Sequence, residues 1–122
     1  MNYKLITALS VLTTFAVLAG CNNAKSPDAV ANGVAAAQQK AAENVADVRK
    51  DASKDNASAT DNVEAKGAYN VALARAEGNH KIALEKCNAV SGDAQSKCKD
   101  VADADYESAK ANAKASEVST KQ

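Results

Sequence analysis

Three cysteines, one histidine and fifteen carboxylates are the side chains of this 122-residue chain best suited to chemistry. Cys87 and Cys98 flank Ser91-Gly92-Asp93, the clearest turn signal in the sequence. Gly92 can end one helix there and Asp93 can cap the next. Folding the chain back at this point sets Cys87 against Cys98, Leu84 against Val101 and Ala83 against Ala102. It also sets His80 against Asp105, Ala76 against Ala109 and Ala72 against Ala113. Small flanking residues let two helices approach closely, and a disulfide needs its Cα atoms within about 7 Å. The expectation is a Cys87–Cys98 disulfide, with two free thiols or bridges between chains as the alternatives. The same fold-back makes His80 and Asp105 a candidate ion pair, against the plainer reading of His80 as a polar residue on a solvated helix side.

Other chemistry finds little support. Cys87, Cys98 and His80 make at most three soft ligands, without Cys-x-x-Cys or His-x₃-His spacing, and an oxidised pair cannot bind zinc as thiolates. No metal and no cofactor are expected. The carboxylates are spread around helices, with no apolar wall to shift a paired acid and base. No phosphate loop, nucleophile elbow or serine triad pattern occurs. The chain is not expected to be an enzyme.

Cys21 belongs to a different pattern. Met1-Asn2-Tyr3-Lys4 carries one positive side chain, and an apolar stretch follows from Leu5 to Ala19, broken by Thr7, Ser10, Thr13 and Thr14. That stretch is shorter than the ~20 residues of a permanent membrane span and has the layout of an export signal. It ends in Leu18-Ala19-Gly20-Cys21, which resembles the lipobox of the bacterial lipoprotein family. The resemblance covers residues 1 to 21. It implies that signal peptidase II recognises Leu18, Ala19, Gly20 and Cys21, cuts before Cys21, and leaves that cysteine lipidated. It also implies a lipid bilayer as partner through acylated Cys21, an exported and oxidising location, and, with Asn22 following the cysteine, the periplasmic face of the outer membrane.

The elements around these residues are built from unusual material. Lys4 is the one base ahead of Cys21, which leaves 14 basic against 15 acidic side chains in residues 21–122. Such a balance offers no field to steer nucleic acid. About a quarter of those residues are alanine, and the large aliphatics are Leu73, Ile82, Leu84 and nine valines. Tyr69 and Tyr106 are the aromatic rings besides His80. Alanine favours helix and loses no side-chain entropy, while so little large apolar surface cannot offset the ordering of a compact globule. The expected fold is all-α: extended alanine-rich helices with a C-terminal disulfide-stapled αα-hairpin and little compact core.

Along the chain, residues 1–20 read as the signal peptide and 21–27 as a lipidated tether. Residues 28–60 form an alanine-rich helix, opened by Ser26-Pro27-Asp28 as cap, first helical residue and first-turn acid. Its apolar positions are Val30, Val34, Ala37, Ala41, Val45, Val48 and Ala52, continuing at Ala59 and Val63. This is an eleven-residue repeat, the signature of a nearly straight stripe. A break is expected over Ser53 to Asp61, whose residues favour caps and turns. Residues 61–116 form the hairpin, with a seam of Tyr69, Leu73, Ala76, His80, Ala83, Cys87 and Val90 on its first helix. Glu77, Lys81 and Glu85 are expected on that helix's solvent side, and residues 117–122 as a disordered tail. Reduction of the staple is expected to loosen the hairpin and to leave 28–52 little changed.

The part after Cys21 is also similar to small alanine-rich helical exported proteins of undefined function, sometimes labelled TolA-like. The eleven-residue repeats resemble those of late-embryogenesis-abundant proteins. Two functions are therefore expected: a membrane-anchored periplasmic spacer or interaction module that meets an envelope protein or peptidoglycan, or a stress-protective amphipathic lipoprotein. The sequence leaves the oligomeric state open.

Overall fold

A computed structural model describes residues 24–56 and 61–120. They form three helices that run antiparallel in succession: α1 (Pro27–Asn56), α2 (Asp61–Cys87) and α3 (Gly92–Thr120). The fold is all-α, with a disulfide-bridged C-terminal hairpin made by α2 and α3.

Local chemistry sets the ends. At the start of α1 the Ser26 hydroxyl accepts a hydrogen bond from the Ala29 amide at 3.3 Å, with Pro27 in the first helical position. The end of α2 tightens into a turn, where the amides of Asn88, Ala89 and Val90 donate to the carbonyls three residues back. Gly92 takes a φ of 60°, a left-handed conformation that glycine adopts without a Cβ penalty, and α3 starts there. The Gln95 side chain then reaches back and donates to the Val90 carbonyl at 3.0 Å, and at 3.4 Å to the Cys87 carbonyl, which also accepts from the Val90 amide.

α3 continues to Thr120, beyond the boundary expected at 116. The hydroxyls of Ser116, Ser119 and Thr120 each donate to the carbonyl four residues back. These residues thereby find partners within the helix instead of in a tail. Residues 121 and 122 lie outside the described residues.

α2 lies between its neighbours. α1 packs along one side and α3 along the other, and among the described residues α1 and α3 do not touch. The result is a layer three helices wide and one helix thick. α1 presents the stripe expected of it: Val30, Val34, Ala37, Ala41, Val45, Val48 and Ala52 are its half-buried residues, joined by Gly33. What receives the stripe is α2, through Gly67, Ala74 and Gly78. The approach is close. A Cβ placed on Gly78 would lie 2.5 Å from that of Ala41. Gly78 therefore gives up helix propensity for contact between two backbones.

The other side of α2 meets α3 in the register of the fold-back, with Ala65, Ala76, Cys87, Ala102 and Ala113 buried. Among the described residues, the buried hydrophobic ones are five alanines, Ala74 included, and Cys87. Among the described residues no leucine, isoleucine or valine is fully buried. Two details of the seam differ from the expectation. Leu73 borders the groove toward α1, with Ala72 taking its place toward α3, because neighbouring helical residues point about 100° apart. Val90 stands in the turn at 40 % exposure.

Candidate functional site

Two clusters gather the side chains that could act. The first is the clasp at the turn end of the layer. Cys87 and Cys98 are bridged, with Cα atoms 5.6 Å apart and Cys87 fully buried. The segment leading into α1 is tied to the same end. The Lys25 amide donates to the Asn88 carbonyl at 2.8 Å, and Lys25 Nζ meets Glu85 Oε2 at 3.2 Å. Asn88 Nδ2 donates to that carboxylate oxygen at 3.0 Å. The hydrogen bond from Lys25, aided by the one from Asn88, holds the Glu85 carboxyl below the usual range.

This arrangement corrects the placing of Glu77 and Glu85 on a solvent side. Both are half-buried: Glu77 borders the α1–α2 groove and Glu85 faces the start of α1. Lys81 is exposed as expected. The reason is that α2 has a helix on each side, so a face that would be free in a two-helix hairpin is covered.

The second cluster straddles α2 and α3. His80 Nε2 lies 2.6 Å from Asp103 Oδ1, and its ring stacks on Tyr106 with centroids 4.8 Å apart and planes inclined by 14°. Lys110 Nζ sits 5.1 Å from the centre of the Tyr106 ring and 2.9 Å from Glu107 Oε1. Its hydrogen bond to Glu107 raises the Lys110 pKa. The imidazole is thus held at its edge by a carboxylate and on its face by a phenol ring. Beside it runs a shallow groove of about 320 Å³, with Ala76, Ala83, Ala102 and Ala109 among its lining.

The expected His80–Asp105 pairing is replaced by His80–Asp103. Asp105 borders the groove beside His80, but the imidazole nitrogen meets the carboxylate two residues earlier. Tyr106 takes the place opposite His80, and Asp103 lies one turn before it on the same face of α3, whereas Asp105 points about 200° away from Asp103. Sequence reasoning missed Asp103, Tyr106 and Lys110. Their spacing of three and then four residues was the signal that could have found them.

The lipobox residues Leu18, Ala19, Gly20 and Cys21 lie outside the described residues. No helix of the described residues is long and apolar enough to cross a membrane. Among those residues no group of three or more His, Cys, Asp or Glu side chains is placed to hold a metal ion. No protein-family model, curated protein or solved structure matches this chain.

Proposed function

We propose that this chain is a lipoprotein of the bacterial envelope, anchored by acylated Cys21, which acts as a non-enzymatic spacer or interaction module. The observation that carries the reading is Leu18-Ala19-Gly20-Cys21 at the end of a short apolar stretch. Several acyl chains, at about 0.8 kcal/mol per buried methylene, hold far more firmly than one. The described fold supports a mechanical role in two ways. Its interior is alanine, glycine and one disulfide, and its chemistry-bearing residues are spent joining helices: His80 to α3, Glu85 to the start of α1. Asn22 after the lipid site favours the outer membrane, and an envelope protein or peptidoglycan is the proposed contact.

The eleven-residue repeat favours a second reading, a stress-protective helix that folds on lipid or on drying. The burial of that stripe against α2 supports the spacer instead, since the stripe already has a partner within the chain. One substitution tests the anchor. Cys21→Ser should abolish labelling by a radiolabelled fatty acid and block the signal peptidase II cut. A substituted protein that is still processed to the same N-terminus and stays firmly membrane-bound would refute the reading. Crosslinking in intact cells tests the spacer role: the protein should be captured with an envelope neighbour, and its recovery alone under conditions that capture known neighbours would count against it.

A further inference from the structure

The clasp fixes which end of the layer faces the lipid. Only four peptide steps separate Cys21 from Lys25, a reach of at most about 14 Å. Lys25 is bonded by its amide to Asn88 and by its side chain to Glu85, at the end of α2. The 88–92 turn must therefore lie beside the point where the acyl chains enter the bilayer. Its sequence, Asn88-Ala89-Val90-Ser91-Gly92, carries no charge that the headgroup layer would have to desolvate. Val90 is one of three exposed large hydrophobic residues of the described chain, at 40 %. Covalent reach and an uncharged five-residue turn coincide at one end, whereas an exposed valine stands at each, Val90 here and Val118 near the other.

We propose that the 88–92 turn is seated in the headgroup layer of the membrane that holds Cys21, so that the helical layer stands on its hairpin tip. The occupant of this surface is the lipid interface itself. The opposite end, where α2 begins and α3 ends, is then held about 40 Å out, the length of a 27-residue helix. The inference rests on the lipoprotein reading and adds to it an orientation and a second contact with the bilayer.

The chain contains no tryptophan, so a single one can report its depth. Val90→Trp places it in the turn and Val118→Trp near the far end of α3, both at exposed positions. Each acylated variant is reconstituted in vesicles of phosphatidylethanolamine and phosphatidylglycerol doped with a headgroup spin-labelled lipid. Fluorescence of the tryptophan at 90 should be quenched at least threefold more than that of the one at 118. Equal quenching would mean that the layer lies flat, and quenching at neither position would mean that the turn is held clear of the lipid. Either result overturns the seat while the anchor stands, provided that the protein floats with the vesicles and its Cys21 peptide carries acyl mass. A protein without acyl mass that fails to float refutes the lipoprotein reading, and the seat falls with it.

Discussion

Glu85 is the residue through which α2 is joined to the leading segment of the chain and to the turn that follows it. Its carboxylate accepts from Lys25 and from Asn88, and the charged form is the one both donors favour. A group whose pKa is depressed on folding contributes stability above its unfolded value, about 4.3 for glutamate, and loses it as pH falls through the folded value. Acidification below the usual glutamate range should thus free the Lys25 side chain from Glu85, while the Lys25 amide keeps its bond to the Asn88 carbonyl. A carbon-detected NMR titration should find the Glu85 midpoint below the usual glutamate range, and Lys25→Ala should raise it toward that range. An unchanged midpoint in that variant would show that Lys25 does not hold the carboxylate. At this scale the sequence was half legible. The fold-back placed Cys87 and Cys98 together because a covalent pair and a turn signal coincide. It put His80 two residues from its partner, because helical phase decides which of two nearby aspartates faces a given side chain. No sequence signal linked Lys25 to Glu85, sixty residues apart.

α1 and α2 owe their contact to the smallest side chains in the chain. Gly78→Ala would ordinarily stabilise a helix by about 1 kcal/mol. Here the added methyl would press on Ala41, and forcing packed elements apart costs roughly 1–3 kcal/mol, so a net loss of about 1 kcal/mol is expected. Thermal melts followed by circular dichroism would measure it. Adding Ala41→Gly should recover part of the contact, and a Gly78→Ala protein as stable as the parent would argue against this close approach. The eleven-residue stripe of α1 was readable because its valines recur at fixed phase. Its docking on α2 was not readable. α2 divides its small and apolar residues between two sides, Gly67, Ala74 and Gly78 toward α1 and Ala65, Ala76 and Cys87 toward α3, so no single stripe announces two neighbours.

A layer one helix thick has a small interior, and the Cys87–Cys98 bridge supplies much of its constraint. Closing a loop of this size restrains the unfolded chain by about 3 kcal/mol. Reduction should lower the melting temperature, and its effect should reach α1. The sequence alone suggested that 28–52 would respond little, but α1 rests on α2 along its length and shares its fate. Hydrogen exchange before and after reduction distinguishes the cases: α1 amides should lose protection together with those of α2, and an α1 that keeps its protection would show independent folding. The same arrangement has a mechanical consequence. Lys25 enters at the turn end, whereas Thr120 lies beside Ala65 at the other. A pull between the start of α1 and the end of α3 runs lengthwise along the helices and loads both interfaces in shear, engaging their contacts at once, with the Cys87–Cys98 bridge holding α3 to α2 against the slide.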